Sequence, residues 1–237
     1  TCAPSAQVIK YMSTGGVLSN VSGGLGRAMT DEEMKAIIDT AHGLGRKVAT
    51  HSHGVAGTKA ALEAGVDTVD HGSFLDDEAI RLFKAKGAWL VPTMLAPRAA
   101  VEQARAGLLP PAVIPKAEEA AAAAMASHAK AIAAGVKVAF GTDTGVSKHG
   151  DNAREFALLV QAGMTPAAAL RTATVNAAEA LGRADRIGTI EPGKDADIIA
   201  IAGSPLEDVR RMEHVDFVMR RGTVAKAGGH REPFPEN

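Results

Sequence analysis

Lys10, His51, His71 and Asp143 lie within, at or just beyond the end of successive apolar runs, and His53 follows His51 by two residues. Imidazole and carboxylate are good ligands for zinc and similar divalent ions, and a carboxylate beside such an ion can also carry a proton. Each residue taken alone has a plainer reading. A strand-end histidine is usually a hydrogen-bonded structural residue, and Asp143 in Gly-Thr-Asp-Thr-Gly fits a turn. Repetition is what argues for chemistry. If the apolar runs are parallel strands of a (β/α) barrel, their C-terminal ends converge on one face, and residues distant in sequence point into a single pocket. His53, spaced two from His51, could share its side of the strand.

Positioning these residues requires strands and helices in series, and the hydropathy pattern supplies them. Ala6–Met12 reads as a strand and Ser13–Met29 as a polar, glycine-rich loop. Thr30-Asp31-Glu32-Glu33 is a capping-box pattern opening a helix to about Gly45, with Met34, Ile37, Ile38 and Ala41 at helical spacing. Strands are predicted at Lys47–His51, Thr68–His71, Ala88–Thr93 and Val136–Thr142. Helices are predicted at Thr58–Ala64, Asp77–Lys86, within Pro110–Ala134, at Ala153–Ala162 and at Pro166–Leu181. Such a series implies parallel strands joined by right-handed crossovers. After Gly182 the pattern changes to short strands at Ile187–Ile190, Ala196–Ile201, Asp216–Arg220 and Thr223–Ala227, separated by turn signals such as Pro192-Gly193 and Arg221-Gly222. The expected organisation is α/β: a partial barrel over residues 1–186, part of a small β lobe over 187–229 and a loose polar tail over 230–237.

Val8-Ile9-Lys10 with Thr14-Gly15-Gly16, Lys47–Gly54, Val69-Asp70-His71-Gly72 and Phe140–Gly145, followed by Gly163–Pro166, Asn176-Ala177-Ala178 and Gly188–Ile198, together resemble the metal-dependent amidohydrolase superfamily. Within it the pattern is similar to the imidazolonepropionase-related, Xaa-Pro dipeptidase-like and ochratoxinase-like branch. The resemblance implies strands 4 to 8 of a (β/α)8 TIM-type barrel with the C-terminal part of a small β-sandwich lobe. It implies hydrolysis of an amide or peptide-like C–N bond with one or two zinc ions, on a dipeptide-like, carboxypeptidase-like or cyclic-amide substrate. By the same resemblance Lys10 is carboxylated and bridges two ions, His51 and His71 are ligands, and Asp143 is both ligand and proton shuttle. His53 is placed at the substrate or as a catalytic helper, with a ligand role left open. His149 and Asn152 are placed against the substrate, Asp70 and Thr144 behind the ligands, and Arg98 or Lys148 near a substrate carboxylate.

The chain departs from that pattern in one respect: no His-x-His pair lies upstream of Lys10, and His51-Ser52-His53 matches strand 5 instead. The expectation is therefore the C-terminal part of a larger enzyme, completed by a missing N-terminal segment or a second chain, or an incomplete and non-catalytic piece. An open parallel sheet predicts self-association, hence a homo-oligomer. The 237 residues carry a formal net charge of −1, which gives no electrostatic case for nucleic acid or an anionic membrane. Aromatic residues are only 3%, too few for base-stacking platforms. The single cysteine, Cys2, excludes an intrachain disulfide and fits a cytoplasmic location, although a lost N-terminus could have carried an export signal. Thr1 as an N-terminal nucleophile finds no support nearby. Ser22–Gly26 lacks the G-x-G-x-x-G spacing of a dinucleotide loop.

Overall fold

A computed structural model describes residues 6–17, 24–108, 110 and 113–233. Thr1, Cys2, the Ser22-Gly23 part of the glycine-rich loop and residues 234–237 of the tail lie outside the described residues. The chain runs β1 (Val8–Met12), α1 (Asp31–Gly43), β2 (Lys47–Ser52), α2 (Val55–Ala64), β3 (Thr68–His71), α3 (Asp77–Lys86), β4 (Trp89–Val91), α4 (Leu95–Arg105), α5 (Val113–Ala133) and β5 (Lys137–Val138). Then come α6 (Arg154–Gln161), α7 (Pro166–Thr172), α8 (Val175–Ala180) and a second set of strands, β6 (Ile198–Ile201), β7 (Val215–Arg220), β8 (Thr223–Ala227) and β9 (His230–Arg231).

Strands β1 to β5 form one parallel sheet in sequence order, as serial strand–helix units require. The register sets Lys10 beside Ala49, Met12 beside His51 and His51 beside Asp70. Period-two alternation then divides the sheet. Val48, Thr50, Ser52, Val69 and Leu90 are buried under the helices, while Val8, Lys10, Met12 and Lys47 on the other side are exposed. The core lies between the sheet and its helices: Met34 and Ile38 of α1, Leu62 of α2 and Phe83 of α3 are almost wholly buried there. Helix α1 starts where the sequence says. Thr30 Oγ1 accepts the Glu33 N–H at 3.2 Å, and Glu33 Oε2 accepts the Thr30 N–H at 2.8 Å.

Four elements differ from the sequence reading. Helix α4 was not anticipated. Pro97 suggests a breaker, but it falls in the first turn, where no intrahelical N–H is needed, and Leu95, Ala96, Ala99, Ala100 and Ala104 supply a buried stripe. Strand β5 is shorter than Val136–Thr142: the Phe140 N–H goes to the Thr172 carbonyl at 3.0 Å and the Val138 carbonyl accepts Asn176 Nδ2 at 2.9 Å. The helix expected over Pro166–Leu181 breaks at Ala173-Thr174, where the hydroxyls of Thr172 and Thr174 bond back to the carbonyls of Ala169 and Leu170. Ile187–Ile190 is not a strand, because a turn joins the Asp195 N–H to the Arg186 carbonyl at 2.8 Å and leaves Ile190 exposed.

Strands β6 to β9 form a separate antiparallel sheet, and the first two residues of the polar tail are its last strand. A 3-10 helix, Val209–Glu213, packs on α6 and inserts the buried Val209 into the main core. Among the described residues no helix is long and apolar enough to cross a membrane.

Candidate metal centre

His51, His53 and His71 meet at the C-terminal ends of β2 and β3. One ligand atom from each lies within 4.8 Å of those of the other two. Ring centroids are 4.7 Å apart for His51 and His53, 4.5 Å for His51 and His71, and 4.6 Å for His53 and His71, the last pair stacked. Two of the three rings are held from behind by hydroxyls. His53 Nδ1 pairs with Ser73 Oγ at 2.8 Å, and His71 Nδ1 with Thr93 Oγ1 at 2.6 Å. Such bonds fix ring orientation and leave Nε2 as the nitrogen offered to an ion. The His53 backbone is fixed in turn by its N–H to Thr14 Oγ1 at 2.9 Å.

His51 Nε2 is buried and has no hydrogen-bond partner. An unsatisfied imidazole nitrogen beside two oriented imidazoles is what a divalent-ion site looks like before the ion is considered. Electrostatics agrees. Burial lowers the pKa of all three rings: His51 is helped down by the Lys10 cation, His53 falls to about 3, and His71 is pushed well down, with its histidine neighbours adding to the effect. The rings are therefore neutral at physiological pH, as ligands must be. A zinc-type cation fits this donor set.

The cavity in front of the histidines also contains Asp143, from the loop after β5, which is exposed and has φ of 53°. Asn152 Nδ2 donates to Thr142 Oγ1 at 3.0 Å and to Thr144 Oγ1 at 2.6 Å, gripping the residues on either side of Asp143. The remaining wall is mostly apolar, with Val17, Pro92, Ala96, Pro97, Ala100 and Val146.

The structure brings His51, His53, His71 and Asp143 around one cavity. His53 lies as close to His51 and His71 as those two lie to each other, within reach of a shared ion. Lys10 points from the inner face of β1 and pairs with Asp70 Oδ2 at 2.6 Å, close enough for its charge to act on His51 and His71. Asn152 and His149, expected against the substrate, do not line this cavity. The Asn152 amide is taken up by Thr142, Thr144 and the Gly150 N–H, and His149 is turned to solvent. Arg98 and Lys148 are also outside it: Arg98 bonds Gln161 at 3.0 Å, and Lys148 lines a separate depression with Asp151 and Arg154. Sequence reasoning singled out Thr14 only as part of Thr14-Gly15-Gly16, and gave no role to Ser73, Thr93, Ser127, His128 and Glu155. Lone hydroxyls and a lone carboxyl on helices carry no motif.

The model of the Amidohydrolase family matches residues 2–226. The chain belongs to the amidohydrolase family. It is 34% identical to the ochratoxinase of Aspergillus niger over 229 residues, covering 94% of this chain and 47% of that protein. To the imidazolonepropionase of a Geobacillus species it is 30% identical over 215 residues, covering 84% of this chain and 44% of that protein. Its structure superposes on a crystal structure of a Xaa-Pro dipeptidase with methionine bound in the active site, at a TM-score of 0.89 and 41% identity, covering 94% of this chain and 55% of that one. The chain thus spans about half the length of the curated relatives it matches. Its five parallel β/α units are part of the amidohydrolase barrel.

Proposed function

We propose that this chain carries the hydrolytic centre of a zinc-dependent amidohydrolase that cleaves an amide or peptide-like C–N bond in a small substrate of dipeptide, carboxypeptidase or cyclic-amide type. The observation that carries the reading is the trio of neutral imidazoles, one with an orphaned Nε2, facing a cavity that also holds Asp143. His51, His53 and His71 would hold the ion. When bound, zinc supplies Lewis acidity toward the scissile carbonyl and the attacking water. Asp143 accepts the proton of that water and delivers it to the departing nitrogen, a role open to an exposed carboxylate at the cavity. The apolar wall receives the apolar part of the substrate and keeps bulk water from the reacting carbonyl. Addition of carbon dioxide to the neutral Lys10 amine, with loss of a proton, would give a carbamate whose oxygens could help hold a second ion, in exchange for the ion pair with Asp70.

A second reading has its own support. The inner face of the sheet is open, with Val8, Lys10 and Met12 exposed, and no His-x-His pair precedes Lys10. On that reading a further segment or a second chain completes the ligand set, and the isolated chain is inactive. Metal analysis with hydrolysis assays separates the two. One or two zinc ions per chain with turnover support the first, and no zinc and no turnover support the second. Asp143→Asn is expected to lower kcat by ~10²- to 10⁴-fold while sparing the fold. Near-normal hydrolysis by that variant would remove Asp143 from the mechanism.

A further inference from the structure

His71 reaches the site against the alternation of its own strand. In β3, Val69 and His71 share the helix-facing side and Asp70 the opposite one, yet the His71 ring lies against His51 and His53. The backbone supplies the diversion. His71 has φ of 72° and Gly72 has φ of 57°, two successive left-handed residues of which only the second is glycine. A side chain in that region is strained, and it persists only where neighbouring groups enforce it.

The enforcing group is on α5. His128 is fully buried, and its Nε2 lies 2.7 Å from the His71 carbonyl and 3.1 Å from the Gly72 carbonyl. Carbonyl oxygens only accept, so Nε2 carries the proton. Nδ1 is then a bare acceptor, buried and without a partner. Leaving a polar atom unsatisfied in the interior is unfavourable, so a ring that served only to fill space would be better replaced by an apolar one. Its neighbour Ser127 donates its hydroxyl to the Ser73 carbonyl at 3.0 Å, and the Ser73 hydroxyl is the partner of His53 Nδ1. One turn of α5 therefore grips three consecutive carbonyls behind two of the imidazoles.

We infer that His128 and Ser127 are the positioning residues of the metal centre: His128 holds the left-handed turn that aims His71, and Ser127 holds the strand exit that supports His53. This rests on the reading of His71 and His53 as ligands, and the experiment keeps the two separate. Zinc affinity, by competition with a chromophoric chelator, and imidazole ¹⁵N resonances of the metal-free protein are measured for the wild-type chain and for His128→Leu, His128→Gln and Ser127→Ala. Leucine fills space without a donor; glutamine restores an N–H.

The expected results are an Nε2–H tautomer at His128, displaced His71 resonances in His128→Leu with zinc affinity lowered ~10- to 100-fold, recovery in His128→Gln, and displacement centred on His53 in Ser127→Ala. An Nδ1–H tautomer at His128, or unmoved His71 resonances in His128→Leu, overturns the inference. If the leucine variant does not fold, the tautomer and the Ser127→Ala spectrum decide, and unmoved His53 resonances there count against it. A wild-type chain that takes no zinc defeats the metal reading alone, because the metal-free spectra still decide the positioning.

Discussion

Asp143 owes its place to residues that do not line the cavity. Its left-handed backbone is bracketed by Thr142 and Thr144, whose hydroxyls lie 2.8 Å apart and both receive the Asn152 amide. Asn152→Ala is expected to cut kcat by ~10-fold or more, with KM little changed, since it frees the carboxylate without touching the cavity wall. Steady-state kinetics beside a thermal melt check this, and a fall in stability without a fall in kcat would argue against it. At this scale the sequence was informative about residue type. Lys10, His51, His71 and Asp143 stood out because they are ionisable or metal-binding and recur at strand ends. It was not informative about the distinction between His53 as ligand and His53 as substrate contact. The groups that hold His53, Ser73 Oγ at the ring and Thr14 Oγ1 at the backbone, come from other elements.

Helices reach the site through close packing and through caps borrowed from one another. Gly57 of α2 lies so near the β1 exit that a Cβ there would meet the Ser13 carbonyl oxygen at 2.7 Å and the Thr14 methyl. Thr14 is the residue that accepts the His53 N–H. Gly57→Ala is therefore expected to destabilise the chain by ~1–3 kcal/mol in chemical denaturation and to weaken zinc binding, although alanine is the better helix former. Helix α4, which carries much of the cavity wall, has no cap of its own at Met94. Glu155 of α6 does that work: Oε1 accepts the Met94 N–H at 2.9 Å and Oε2 the Leu95 N–H at 2.7 Å.

Burial raises the Glu155 carboxyl to about 7, outweighing both N–H donors and the nearby Arg98 cation. A folded-state pKa above the unfolded value means that the folded state holds the proton more tightly. The contribution of Glu155 to stability is then greatest below about pH 4.5 and is lost as pH rises to about 7, by ~3 kcal/mol at most. The buried His53, His71 and His128, whose pKa values burial lowers, impose the opposite slope, so the Glu155 contribution is read by denaturation as the difference between wild type and Glu155→Gln, which should shrink as pH rises from about 4.5 to about 7. The glutamine variant should also be less stable at low pH, because its amide N–H₂ opposes one of the two backbone donors. None of this was legible from the sequence: α4 was not anticipated, and a carboxylate in α6 looks like any helix acid.

At the scale of the whole molecule, the two faces of the parallel sheet differ in exposure. Alternate positions of β1 to β3 are buried or half-buried toward the helices, while Val8 and Met12, 39% and 46% exposed, lie on the opposite face. Strands β1 and β5 are the edges of the sheet. Unpaired parallel edges beside exposed apolar side chains favour association. Light scattering on the chain is expected to show concentration-dependent oligomers, reduced by the double change Val8→Lys and Met12→Lys. A strictly monomeric wild-type chain at high concentration would count against that expectation.

Periodicity and residue type, both local, were enough to specify five strand–helix units in series, the capped start of α1, three of the short strands that follow and the residues fit for metal chemistry. Hydrophobic alternation is written residue by residue, so it survives in one dimension. The tertiary structure alone decided which nitrogens face the cavity, which hydroxyls hold them and which carboxylate caps α4. Those bonds join residues up to 61 positions apart, as between Met94 and Glu155, and only the packing of helices on the sheet sets their distances.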